Sequence, residues 1–296
     1  MNKGLIREYE SLTAYCTYRT GGRARYLALP EKLNELMDVL VWADAMKLPH
    51  ELIGHGANLL FSDAGYEGLI VCLKSFERFC VRKDDRIFAG AGTPLMELVR
   101  YTAKEKLAGF VSLAGIPGTV GGAIKMNAGA FGTEMKDLTL RVNILENTDE
   151  GLKTRLMEAS EAEFGYRQSS GLLAKIVLSA EFKLEELDCD FDAEISDILK
   201  KRAAKQPLNF PSCGSVFKRP EGYFAGALIE GCGLKGLRIG GAKVSEKHAN
   251  FIVNTGEATS DDIYRLILYV KLEVLRQTGV LLEEEVRYIG NFRQQK

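Results

Sequence analysis

The chain has 296 residues, 46% of them hydrophobic and 27% charged, which excludes a disordered or fibrous protein and suits two or three globular domains. Its 39 Lys and Arg residues almost cancel 40 Asp and Glu, so neither a nucleic-acid partner nor a charged interaction tail is indicated. Six cysteines (16, 72, 80, 189, 213, 232) form no C-x-x-C pair and there are only three histidines (50, 55, 248), which argues against a disulfide framework and a metal centre.

The first segment, MNKGLIREYESLTAYCTYRTGG, holds no apolar stretch fit for a signal peptide. No run approaches the ~20 apolar residues of a membrane span. A cytoplasmic protein is expected. Residues 25–29 form a short strand candidate closed by Pro30, and Leu33, Leu36, Met37, Leu40 and Val41 then recur at helical spacing over 31–47. Residues 51–54 return as a strand and deliver the chain into a first glycine loop, GHGANLLFSDAG, at 54–65. Strands are expected at 68–73 and 80–92, the latter turning at Asp84-Asp85. Thr93 as N-cap and Pro94 as first helical residue open a helix whose apolar face is Leu95, Leu98, Val99 and Thr102.

A second glycine segment, LAGIPGTVGGAIKMNAGAFG, follows at 113–132. It fits neither the P-loop nor the G-x-G-x-x-G dinucleotide pattern. Further strands are expected at 139–146 and 174–183, and a charged stretch at 185–205 ends in a helix near Lys205. The composition shifts at QPLNFPSCGSVFKRP (206–220), and a domain boundary is placed just before that helix. Ser260 is expected to cap a last helix with a core face at Ile263, Leu266, Ile267, Val270 and Val274, stopped by Gly279 and followed by a strand over 280–290. Helices and strands do not alternate strictly, which favours an α+β fold over a Rossmann domain.

Two glycine loops in one domain can wrap an extended phosphate ligand with backbone N–H groups where side chains are absent. Asn58, Thr119, Asn127 and the backbone of 118–122 are the candidate donors. Close packing of two elements is the competing reading of Gly121-Gly122.

Three segments now become specific: G-x-G-A-N-L-L at 54–60, A-G-I-P-G-T-V-G-G-A at 114–123 and N-A-G-A-F-G at 127–132. They are similar to the FAD-binding domain of the vanillyl-alcohol-oxidase (PCMH-type) flavoproteins. With Y-R-T-G-G at 18–22, G-Y-R-Q at 165–168, C-G-S-V-F-K at 213–218 and E-E-E-V-R-Y-I-G at 283–290, the chain resembles, within that superfamily, the UDP-N-acetylenolpyruvoylglucosamine reductase family. The resemblance implies an α+β protein with a PCMH-type FAD-binding domain over 1–185, including a small N-terminal β-α-β subdomain at about 1–54. A C-terminal α+β substrate-binding domain over 186–296 would bring Glu285 to the flavin on its last strand.

The implied cofactor is FAD, held by Gly54, Gly56, Ala57, Asn58 and Leu59 on one side and by Gly118, Thr119, Gly121, Gly122, Asn127 and Gly129 on the other. Relatives that tether flavin covalently often do so through a histidine directly after the second loop glycine. Here that residue is Ala57, so non-covalent FAD is expected. NADPH is the implied hydride-donating cosubstrate, UDP-N-acetylglucosamine enolpyruvate the substrate, and a monomer the expected state.

The implied catalytic residues are Ser215 as proton donor, Glu285 as the acid that polarises the enol intermediate, and Arg167 as a bidentate partner of the substrate carboxylate. Taken alone, Ser215 would read as a turn serine and Arg167 as a surface loop residue. Cys213 reads as a packing thiol, Glu284 as a solvated edge residue, and His248 as structural before catalytic. Tyr166, Lys218 and Arg219 are the implied substrate-binding residues, although relatives often carry Asn at the Arg219 position. No segment matches the tyrosine-bearing loop that covers the substrate in some members, which points to the shorter-loop subtype. Two rival functions stay open: an oxidase of the same fold acting on a small hydroxy compound, and a UDP-sugar binding protein without flavin.

Overall fold

The computed structural model describes residues 5–292. Its first sheet has the order Ile6–Ser11, Arg23–Ala28, Tyr66–Cys72, His50–Ile53, antiparallel at the first pair and parallel across the other two. The helix Leu33–Ala45 connects two of the parallel strands, as its apolar spacing predicts. The sheet runs to Cys72, so the small subdomain expected at about 1–54 extends further along the chain. It is the middle layer of the molecule. Alternate residues along its strands go to opposite cores: Ala28, Leu69 and Val71 to one, and Leu27, Ile70 and Cys72 to the other.

The first core lies between this layer and a five-stranded antiparallel sheet in the order Gly151–Glu158, Thr139–Thr148, Ile176–Lys183, Arg86–Gly90, Cys80–Lys83. The strand Gly151–Glu158 has no counterpart in the sequence reading. It is an edge strand with only Met157 buried, and its apolar residues, Leu152, Leu156 and Met157, do not follow a two-residue period. The helix Phe191–Lys205 buries Phe191, Ile195 and Ile198 in this same core. The expected boundary at 185/186 therefore does not coincide with the division of the apolar clusters, which falls after the helix.

The second core is built from the segment Leu12–Tyr18, the loop after Ile53 and the C-terminal part. There a three-stranded sheet, Arg238–Ile239, Ala242–Val244, Ile252–Asn254, packs on the helix Ser260–Thr278. Thr259, not Ser260, caps that helix: its side chain accepts the Asp262 N–H at 3.0 Å while Asp262 accepts the Thr259 N–H at 3.1 Å. Ser260 lies inside and bonds Thr20 Oγ1 at 2.8 Å. Asp63, distant in sequence, accepts the Ser260 and Asp261 N–H groups at 3.0 and 2.8 Å, a cap supplied by the tertiary fold. Similarly Pro94 is the N-cap of the helix Leu95–Lys104, and Thr93 instead exchanges hydrogen bonds with the Phe79 backbone.

The last strand is shorter than expected. Only Arg287–Ile289 is regular, and it pairs in parallel with Leu59–Phe61 inside the first glycine loop. Residues 283–285 are instead hydrogen-bonded to 216–218. The chain end thus bridges both parts of the candidate site.

Candidate active site

One cavity of about 1130 Å³ runs between the two glycine segments and the C-terminal part. It lies at the upper end of ligand-pocket sizes, ~300–1,000 Å³, as an extended ligand requires. Seven Lys and Arg residues line it against four carboxylates, a balance suited to phosphates and carboxylates.

In the first loop, Gly54 to Leu59 all lie on the wall. Gly56 has φ +71°, and a Cβ there would fall 1.9 Å from the Tyr15 carbonyl oxygen. Its role is close backbone packing. Asn58 also departs from the expectation of a phosphate donor, because its amide donates to the Glu285 carbonyl at 2.9 Å.

In the second segment, Thr119 caps the short helix Val120–Lys125 and accepts the Gly122 N–H at 3.4 Å. The N–H groups of Val120 and Gly121 are committed to the carbonyls of Thr93 and Ala91, both at 2.9 Å, so they are not ligand donors. Gly121 packs on Ala91, where a Cβ would approach within 2.9 Å. Among the described residues, the N–H groups of Gly118 and Thr119 have no protein partner. A Cβ on Gly118 would meet nothing within 4 Å, and one on Gly122 only Thr119 Oγ1 at 3.5 Å. Both glycines border the cavity, so this is a cradle that added side chains would fill.

Two variants separate these roles. Gly56→Ala should destabilise the flavin-free protein by roughly 2–4 kcal/mol, because the backbone must move to admit a methyl group at positive φ. Urea denaturation measures this. Gly122→Val should fold normally and retain FAD poorly, since its branched side chain enters only the cradle. Wild-type FAD affinity in that variant would make the loop purely structural.

Asn127 is fully buried and off the cavity wall. Its Nδ2 donates to Glu134 and to the Gly165 carbonyl, both at 2.9 Å, and its Oδ1 accepts the Lys136 N–H at 3.0 Å. It braces the turn carrying Tyr166 and Arg167 and has no group left for a cofactor. Gly129 is on the wall, and its carbonyl accepts from Arg167 Nη2 at 3.3 Å.

Arg167, Ser215 and Glu285, separated by up to 118 positions in the chain, line the same cavity. Arg167 Nε lies 3.2 Å from Glu285 Oε1. With Nη2 also on Gly129, the Nε side of the guanidinium is engaged, and Nη1 with the second N–H of Nη2 remains to meet a carboxylate. Burial pushes the Glu285 carboxyl above its ordinary range, an effect that Arg167 and Lys218 only partly offset. Glu285 and Arg287 face the cavity while Val286 is buried, as strand alternation predicts. Glu284 is not solvated as expected; it pairs with Lys271 at 2.7 Å. The Cys213 thiol is buried and donates to the Leu59 carbonyl at 3.0 Å, as a packing residue should.

Tyr166 and Arg219 meet across the mouth, the Arg219 N–H donating to the Tyr166 hydroxyl at 3.1 Å. The Arg219 guanidinium stacks on Phe224 at 3.9 Å. Lys218, expected among the substrate-binding residues, is off the wall and paired with Glu283. His248 is on the wall against Phe251, with its buried Nδ1 lacking a partner among the described residues.

Two cavity residues were missed from the sequence. Arg202 has a buried Nε without a hydrogen-bond partner and lies within 3.1 Å of a Cβ built on Gly115. The signal was available: it continues the Ile195–Ile198 apolar stripe of its helix, where a charge is out of place. Lys125 donates to the carbonyls of Leu172, Leu173 and Lys175 at 2.5, 3.3 and 3.1 Å, and burial brings its pKa down to about 8.

Two family profiles match the chain: "FAD binding domain" over residues 24–154 and "UDP-N-acetylenolpyruvoylglucosamine reductase, C-terminal domain" over residues 206–289. The UDP-N-acetylenolpyruvoylglucosamine reductase of Clostridioides difficile (strain 630) is 41% identical over 98% of this chain and 95% of its own length. That of Pediococcus pentosaceus is 41% identical over 96% and 94%. Among solved structures, the UDP-N-acetylenolpyruvylglucosamine reductase of Thermus caldophilus superposes with a TM-score of 0.80 at 33% identity, covering 96% of this chain and 100% of that one. The glucose dehydrogenase Phl p 4.0202 reaches a TM-score of 0.50 at 16% identity over 63% of this chain and 42% of that one, a likeness of fold alone.

Proposed function

The chain belongs to the UDP-N-acetylenolpyruvoylglucosamine reductase family, and from that membership we infer how its cavity works. The protein is an FAD-containing oxidoreductase that reduces the enolpyruvyl ether of UDP-N-acetylglucosamine enolpyruvate to UDP-N-acetylmuramate, with NADPH as reductant, in the supply of peptidoglycan precursor. One turnover consumes one NADPH and one proton. Bound FAD would supply the hydride relay between NADPH and the enolpyruvyl carbon, chemistry that no side chain can supply.

The side-chain roles are our proposal. The observation that carries it is the convergence of Arg167, Glu285 and Ser215 on one cavity, with a buried carboxyl beside a guanidinium at 3.2 Å. Arg167 would hold the substrate carboxylate through Nη1 and stabilise the negative charge that grows as hydride arrives. Glu285, whose carboxyl burial makes easier to protonate, would in its acid form donate a hydrogen bond to the developing enolate oxygen. Ser215 would deliver the proton to the neighbouring carbon. Gly118, Thr119 and Arg202 would meet the FAD diphosphate, with Gly122 leaving room for it. Tyr166 and Arg219 would close the mouth over the UDP moiety.

We propose a monomer as the working unit. Among the described residues no helix is long and apolar enough to cross a membrane, and we propose a cytoplasmic location. The rival oxidase reading leaves the match over residues 206–289 without a purpose. The deciding experiment is the visible spectrum: NADPH should bleach the purified yellow protein, and the enolpyruvyl UDP-sugar should restore its colour without oxygen. Failure of the substrate to restore colour would refute the reading. Acid precipitation should release the flavin into the supernatant, because Ala57 offers no atom for a covalent tether; colour kept in the washed pellet would contradict this.

A further inference from the structure

The side chain of Asn58 points away from the role its motif suggests. An asparagine amide carries two N–H donors. Here one goes to the Glu285 carbonyl at 2.9 Å and the other makes a weak contact with Met126 Sδ at 3.9 Å. The main chain of Asn58 engages the same segment, its carbonyl accepting the Arg287 N–H at 3.0 Å. On the other side, the Glu285 N–H donates to the Val216 carbonyl at 2.8 Å, one residue beyond Ser215. Residue 285 is therefore clamped between the serine segment and the first glycine loop, and Asn58 is the clamp on the loop side.

We propose that Asn58 is a positioning residue that holds Glu285 in place from within the cofactor loop. Glu285 precedes the short regular strand Arg287–Ile289, so no continuous ladder fixes its carbonyl. Without the amide, the peptide after Glu285 is free to rotate. The carboxyl then loses its registry with Arg167 and gains access to water. The inference rests on the role given above to Glu285.

The test uses the FAD-loaded enzyme with Asn58→Ala and the near-isosteric Asn58→Asp, which lacks the donor. FAD affinity, followed by flavin fluorescence, should stay close to wild type in the alanine variant. Reduction by NADPH should be nearly unchanged, while reoxidation by the enolpyruvyl UDP-sugar should slow by roughly 10–100-fold, the cost of a misplaced catalytic group. Displacement gives Glu285 more water, which lowers its pKa, and takes it from Arg167, which raises it; burial is the larger influence at this carboxyl, so the fall of that step with rising pH should move to lower pH. In a Glu285→Ala background, Asn58→Ala should add little, since the carboxyl that Asn58 positions is already gone.

Weakened FAD affinity with equal slowing of both steps would overturn the inference and make Asn58 a cofactor ligand. So would effects of Asn58→Ala and Glu285→Ala that multiply independently. If Asn58→Ala does not fold, Asn58→Asp decides by the same measurements. A wild-type enzyme whose reduced flavin ignores the substrate would instead overturn the functional reading, and the inference with it.

Discussion

Replacing Ser215 by alanine is expected to leave the reduction of bound flavin by NADPH close to the wild-type rate and to slow reoxidation by the enolpyruvyl substrate by ~10²–10⁴. The asymmetry follows from where a proton is needed. Hydride leaving NADPH requires none from the protein, whereas the substrate carbon next to the hydride acceptor must gain one. Ser215 lines the cavity in a segment fixed from two sides: Val216 donates to the Asn250 carbonyl at 2.8 Å, and the Asn250 side chain accepts the Phe217 N–H at 3.0 Å and donates to its carbonyl at 2.8 Å. The hydroxyl can therefore be removed without loosening its backbone. Substrate affinity should change little, because only one small group is lost. Stopped-flow absorbance follows each half-reaction separately. Equal slowing of both, or of neither, would make Ser215 a structural residue.

Glu285→Gln should impair the same step by ~10²–10³, less than a full deletion, because a carboxamide retains one donor toward the enolate oxygen. Its pH signature is more specific. Burial raises the Glu285 pKa, so the protonated carboxyl persists above the usual carboxylate range. Reoxidation by substrate should be fast below the raised value and fall as pH rises through it; the glutamine variant should lack that limb. Arg167 holds the carboxyl down, so Arg167→Met should move the limb to higher pH while weakening substrate binding. Flavin reduction by NADPH should be insensitive to pH over the same window. A limb that survives in Glu285→Gln would assign the titration to another group.

Legibility in the sequence tracked the distance over which each structural signal acts. The helix Leu33–Ala45, the hairpin turning at Asp84-Asp85 and the Gly279 stop were readable because apolar spacing, turn residues and left-handed caps act over a few residues. Alternation likewise placed Glu285 with Arg287 on the cavity side and Val286 inside, since the two-residue period is a property of extended backbone itself. The glycine segments were recognisable by their order, but not which glycine serves which purpose. Gly56 and Gly121 are small because Tyr15 and Ala91 lie against them, whereas Gly122 borders open space; only the neighbours supplied by folding distinguish these cases. The same holds for polar partners. Asn58 is drawn to Glu285, Asn127 to Glu134 and Gly165, Lys218 to Glu283, and the last helix receives part of its cap from Asp63. A hydrogen bond depends on which groups meet, and groups up to 240 positions apart, as Thr20 and Ser260 are, meet only once the chain has folded.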